Sequence, residues 1–207
     1  MLKPAIALSL LLPLAALAQQ PSVLPGAEEI GTWRLGCTAD RMTDRTACVL
    51  RHRDWVERPS VGAGLAFEIL ERGGRLVPAV TARDLSLDSA SRGLLALTGT
   101  AQLRFDRNAL MELPCGLEGR NLVCVPRPAD AARAAEELVT AERALVRMSG
   151  IGSNTTATSE PAELRLSSTA TALERLRRQQ PPGTAAPPAE AGFTLRDLLG
   201  RAQRFIQ

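Results

Sequence analysis

From residue 32 onward, apolar and polar positions alternate in short bursts. Trp33 and Leu35 flank Arg34, and Val49 alternates with Arg51 beyond the polar, turn-like stretch Thr38–Thr46. A period of two over a few residues marks a strand with one buried face, so these runs predict a hairpin whose two arms end and begin at Cys37 and Cys48. Leu65–Leu70 is a second strand, turned by Gly73–Gly74 into Leu76–Val80. Leu94–Leu97 and Gln102–Phe105 flank Thr98–Gly99–Thr100 as another hairpin, and Asp106–Arg107–Asn108 turns into Leu110–Leu113. Leu122–Val125 follows Gly116–Leu117–Glu118–Gly119, and Ala144–Met148 and Glu163–Leu166 read as two later strands. Short strands with frequent Gly and Asn turns predict a mainly β, antiparallel β-sandwich rather than βαβ units.

Helical period enters at three places. Over Ala129–Thr140, Pro128 suits a first turn, and Ala132, Ala135, Leu138 and Val139 fall on one side. Ser168 or Thr169 is positioned to cap a short helix carrying Leu173 and Leu176. Near the end, Thr194 with Asp197 fits an N-cap, and Phe193 can staple onto Leu198. There Leu195, Leu198, Leu199, Ala202, Phe205 and Ile206 form one apolar stripe flanked by Arg196, Arg201 and Arg204. So short a helix is marginal alone in water and orders by burying its stripe. Its targets are its own domain, a groove on a partner, or an anionic membrane surface. The preceding residues 179–192, rich in Pro and Ala, favour a target elsewhere: a linker of this kind reaches on the order of 40 Å.

The first residues form a different unit. Lys3 precedes an apolar run, Ala5–Ala18, which ends in the small-x-small site Ala16–Leu17–Ala18. This reads as a signal peptide cleaved before Gln19. The run is about 14 residues, against roughly 20 needed to cross a bilayer, so a membrane anchor is disfavoured. The expected organisation is a signal peptide over 1–18, a disordered lead over 19–30, one β-domain over 31–178, a linker over 179–192 and an amphipathic helix over 193–207. The expected location is the periplasm or the exterior.

Charge narrows the partners. Lys3 is the only lysine, so every basic side chain after the signal peptide is arginine. The net charge of the whole chain is +3, and residues 174–207 hold 6 arginines against 3 acids. The basic excess therefore lies in the tail, and the domain offers no electrostatic case for nucleic acid. With no tyrosine and 3% aromatic residues, stacking platforms for single strands or sugars are not expected either.

The four cysteines, Cys37, Cys48, Cys115 and Cys124, lack the C-x-x-C spacing of redox or zinc sites. Behind a signal peptide they read as two structural disulfides. Three connectivities are open; local pairing, Cys37–Cys48 and Cys115–Cys124, is favoured because each pair bounds a hairpin. Trp33 is read as core filler beside its disulfide. His52 is the only histidine and lies between Arg51 and Arg53, so Arg51–His52–Arg53–Asp54 reads as a solvated strand edge with an exposed histidine. No Gly-x-Ser-x-Gly elbow surrounds Ser60 or any other serine. A metal site would rest on His52 with Asp54 and Glu57, and a glycosidase pair on Asp40, Asp44 and Glu57, whose separation the sequence does not supply. Neither a metal nor another cofactor is expected.

Gly31–Thr32–Trp33 leading to Cys37 and Cys48, the later pair Cys115 and Cys124, the helix after it, and Leu164–Arg165–Leu166–Ser167 running into Leu173 together resemble the invasion-associated locus B family. These are small exported proteins of Gram-negative bacteria, chiefly alphaproteobacteria, and the likeness covers roughly residues 31–178. It implies a β-rich domain in the periplasm or outer envelope and brings no catalytic residues. The expectation is an exported, non-catalytic protein that binds an envelope or outer-membrane protein, with Phe193, Leu195, Leu198, Leu199, Phe205 and Ile206 as contact residues. The alternative is a periplasmic hydrolase with an unrecognised active site.

Overall fold

The alternating runs form strands wherever turn residues let the chain reverse. The computed structural model describes residues 26–59, 63–85, 98–150, 160–181 and 183–184. Its strands are β1 (Glu28–Ile30), β2 (Trp33–Asp40), β3 (Arg45–Glu57), β4 (Leu65–Arg72), β5 (Arg75–Ala82), β6 (Thr100–Phe105), β7 (Met111–Glu118), β8 (Asn121–Cys124), β9 (Arg143–Ser149) and β10 (Ala162–Arg165). Helix α1 (Ala131–Thr140) connects β8 to β9, and α2 (Thr169–Gln179) follows β10. All pairings are antiparallel, in the order β1-β2-β3-β4-β5-β8-β7-β6-β9-β10. The mainly antiparallel architecture and both local disulfides are as expected. Hydrogen bonding nevertheless joins all ten strands into one continuous sheet, where two packed sheets had been anticipated.

The first five strands are a simple meander. Gly73 and Gly74 turn β4 into β5 with φ of 57° and 77°, the left-handed pair that matches the twist of the flanking strands. β5 then pairs with β8 rather than β6, and β9 returns after α1 to pair with the far side of β6. On β6 and β9 every second residue is buried: Ala101, Leu103 and Phe105, then Ala144, Val146 and Met148. These side chains join Trp33, Leu50, Phe67, Val80 and Leu122, and Leu138 and Leu173 from the two helices, in one core.

So wide a twisted sheet tends to curl, and here its two ends meet. Thr32 Oγ1 accepts from the Ser167 amide at 3.0 Å, and Thr32 N–H donates to Ser167 O at 3.4 Å. His52 Nε2 lies 2.7 Å from the carbonyl of Arg165 in β10. The approach leaves no room for a side chain at Gly31, where a Cβ would stand 2.5 Å from Ser167 O. Trp33 Nε1 donates to Thr169 Oγ1 at 3.1 Å, locking α2 over the same seam.

Several expectations change here. The lead does not extend through Ile30, because Glu28–Ile30 pairs with Trp33–Leu35 as an edge strand. The cysteines do not end their strands; Cys37 and Cys48 face each other within β2–β3, which continues to Asp40 and Arg45. Thr100 belongs to β6, not to a turn. α1 buries Ala134 and Leu138, leaving Ala132 and Val139 exposed, because its contact with β5 sets a narrower face than the sequence period suggests. Ser168 occupies the N-cap position of α2 with φ 59° and makes no side-chain capping bond. The expected signal peptide, Leu94–Leu97, most of the expected linker and Phe193–Gln207 lie outside the described residues.

Candidate functional site

Beyond Cys37, the β2–β3 hairpin leaves the core. Its ladder continues through Thr38↔Ala47, Ala39↔Thr46 and Asp40↔Arg45, and residues 37–47 are all exposed. Met42 at the tip is 92% exposed. Two devices keep this arm ordered. At its base the Cys37–Cys48 disulfide joins directly opposed residues, with Cα atoms 4.0 Å apart. At its tip Asp40 organises the turn, accepting from Thr43 Oγ1 at 2.7 Å and from the Met42 amide at 2.8 Å. The Thr43 hydroxyl, followed by the Met42 amide, holds the Asp40 carboxyl below the usual carboxylate range.

The end of α2 and the residues after it lie against the arm. The Cys48 amide donates to Gln180 Oε1 at 2.7 Å, Gln179 Oε1 rests 2.7 Å from Cys37 Sγ, and the Gly183 amide donates to Glu71 Oε1 at 2.9 Å. Because β4 turns away at Gly73–Gly74, a cleft of about 800 Å³ opens between Asp44–Thr46 and the segment around Pro181 and Thr184. A second cleft, about 640 Å³, lies at the sheet seam among Asp106, Glu142, Arg143, Glu163 and Arg165. There Arg143 pairs with Glu163 at 3.5 Å and the Glu142 amide donates to Asp106 Oδ2 at 3.2 Å.

The sequence candidates separate. All four cysteines form the two expected disulfides. Asp40 and Asp44 sit at the arm tip, whereas Glu57 ends β3 twelve residues after Arg45, on the order of 40 Å along the strand, far beyond any glycosidase spacing. His52 is not exposed: it is 1% accessible, its ring 5.5 Å from Trp33 edge-on. Alternation turns it to the core while Arg51 and Arg53 face the other way. The Asp54 amide donates to its Nδ1 at 3.1 Å, which assigns the proton to Nε2 and lets Nε2–H donate to Arg165 O. Arg51–Asp54 is no sheet edge either, since β3 lies between β2 and β4. Among the described residues no group of three His, Cys, Asp or Glu side chains converges as a metal site. Ser60 and the stripe Phe193, Leu195, Leu198, Leu199, Phe205 and Ile206 lie outside those residues.

One cluster escaped the sequence reading. Glu68, fully buried on β4, accepts from Arg51 Nε at 3.0 Å and from Arg83 Nη2 at 2.6 Å and Nε at 3.0 Å. Burial opposes the charge on Arg83, but the Glu68 carboxylate outweighs it, and the guanidinium is held above its ordinary value. Arg51 also lies 5.1 Å over the ring of Trp55. An acid inside the apolar run Leu65–Leu70 was the available signal, since a carboxylate there needs a cation beside it. With two cations and several bonds satisfying one carboxylate, this cluster is a structural clamp between β3, β4 and the end of β5.

No protein-family model matches the chain, and neither the curated proteins nor the solved structures hold a match to it.

Proposed function

We propose that the chain is an exported, non-catalytic envelope protein that holds a partner, an envelope or outer-membrane protein, on the β2–β3 arm. The observation that carries this reading is where the Cys37–Cys48 disulfide sits. It closes a short loop, worth about 3 kcal/mol in the chain-entropy model, around residues that contribute nothing to the core. A two-stranded ribbon is marginal in water by itself. Stapling it keeps a surface ordered before binding, which lowers the ordering cost of association.

The compartment agrees with this reading. Both disulfides fit an oxidising environment, and no helix among the described residues is long and apolar enough to cross a membrane. The signal peptide and the resemblance to the invasion-associated locus B family point the same way. The segment leading to the tail leaves from the cleft beside the arm, so the stripe from Phe193 to Ile206 supplies a second contact to the same partner or to a nearby anionic membrane surface.

A photo-crosslinking residue at Thr43, compared with one at the exposed Arg104 of β6, tests this in cells. A discrete adduct from position 43, absent from 104 and lost in Cys37→Ser/Cys48→Ser, is expected. No adduct from 43, or equal adducts from both, would overturn the assignment.

A further inference from the structure

The arm's backbone indicates how a partner is held. Opposed residues of an antiparallel pair alternate between close, non-hydrogen-bonded positions and wider, hydrogen-bonded ones. Cys37↔Cys48, with Cα atoms 4.0 Å apart, is a close pair, and so by alternation is Ala39↔Thr46. In close pairs the N–H and C=O groups of both residues point away from each other, toward the outer edges of the hairpin. On the β3 side the residues with outward groups are therefore Leu50, Cys48 and Thr46.

Leu50 uses its groups on Ile69 of β4. At Cys48 the ladder with β4 has ended, and the amide is taken by Gln180 Oε1 at 2.7 Å, a side-chain carbonyl standing where a neighbouring strand's carbonyl would be. Thr46 comes next, and among the described residues nothing accepts from its N–H or donates to its C=O. Those groups face the cleft of about 800 Å³, walled on its far side by Pro181, Gly183 and Thr184. Pro181 lacks an amide, and the amides of Gly183 and Thr184 are already given to Glu71 Oε1 and Pro181 O, so that wall does not complete a ladder.

We propose that this cleft receives an extended peptide segment of the partner protein, added as a strand to the β3 edge of the arm at Thr46, continuing the bond that Gln180 begins at Cys48. Main-chain bonds supply the anchoring and Arg45 and Thr46 the side-chain discrimination, the mode by which exposed sheet edges take peptides. The outer edge of β2, where Cys37 and Ala39 also present groups without a partner strand among the described residues, has no facing wall among those residues and serves as the internal control. This inference rests on the reading of the arm as the binding element.

The test uses random dodecapeptides displayed on phage, panned on the immobilised full chain, with selected peptides then synthesised and titrated. Thr46→Pro deletes the outward amide and leaves the β2–β3 ladder intact, since that amide takes no part in it. Binding about tenfold weaker is expected for Thr46→Pro, with Ala39→Pro unchanged. N-methylation at the one peptide amide that meets the Thr46 carbonyl should weaken binding to the unmodified protein in the same way, whatever the proline does to the arm. A chain that selects no peptides overturns the proposal, as do peptides indifferent to both changes or weakened equally by Ala39→Pro. If Thr43 still crosslinks its partner in cells under any of those outcomes, the arm remains the binding element and only strand addition fails.

Discussion

At the scale of the residue, the largest consequences belong to two polar side chains in the interior. His52 satisfies the Asp54 amide with one nitrogen and the Arg165 carbonyl with the other, and it fills space against Trp33. His52→Ala takes the ring partner from both backbone groups and opens a cavity beside Trp33, so a loss of about 2–4 kcal/mol is expected in urea unfolding. A variant as stable as the parent would show that the seam does not depend on this ring. Glu68→Gln keeps the shape and removes the charge, leaving Arg51 and Arg83 facing a neutral amide; about 3–5 kcal/mol should be lost. Neither role was legible from neighbouring residues. Arg51 and Arg53 make the surroundings of His52 look solvated, yet alternation along a strand sends an even-numbered residue to the opposite face from its odd-numbered neighbours. What decides which face is inside is β10, more than a hundred residues away.

Among the elements, the arm and the β7–β8 hairpin use the same covalent device differently. Cys124 is fully buried in the core, so breaking Cys115–Cys124 should destabilise the whole sheet by about 2–5 kcal/mol. Breaking Cys37–Cys48 should instead release the arm alone: amides of residues 38–47 are expected to exchange fast, with β4 to β9 protected as before. Loss of protection throughout would show that the arm staple supports the core. The turn adds a pH dependence. A carboxyl held below its ordinary range in the folded state stabilises above its unfolded range, and that contribution fades as pH falls through the folded value. The Met42 and Thr43 amides should therefore become less protected in acid, before the sheet itself opens, as two-dimensional NMR can follow. Elements of this kind were the most legible part of the sequence. Gly73–Gly74, Asp106–Asn108 and the alternation around Cys37 and Cys48 are local signals, and each forms a turn or hairpin close to where it was read. The strand lengths were less legible, because the exposed ends of β2 and β3 carry no buried face for alternation to report.

For the whole molecule, the decisive feature is a closure that no local pattern records. A meander of five strands and a second group of five can lie as separate packed sheets or as one. What chooses is the pairing of β5 with β8 and of β6 with β9, together with the seam of Thr32, Trp33 and His52 against Arg165, Ser167 and Thr169. The seam bonds span more than a hundred residues and the two strand pairings about 40 to 50, so periodicity over a short window is blind to them. The seam also couples the start of β2 to β10 and α2: if α2 leaves, Trp33 loses the acceptor for its indole and the sheet edge loses its cover. The domain should consequently unfold as one unit, with tryptophan fluorescence from Trp33 and Trp55 and far-UV circular dichroism tracing the same urea transition. Trp33→Phe removes the indole donor, leaves Thr169 Oγ1 buried without it and opens a small void. About 2–3 kcal/mol should be lost, with the transition still single and its steepness unchanged. Were α2 only resting on a sheet that stands without it, the same variant would unfold in two steps, the helical signal disappearing first while Trp55 still reported an intact sheet.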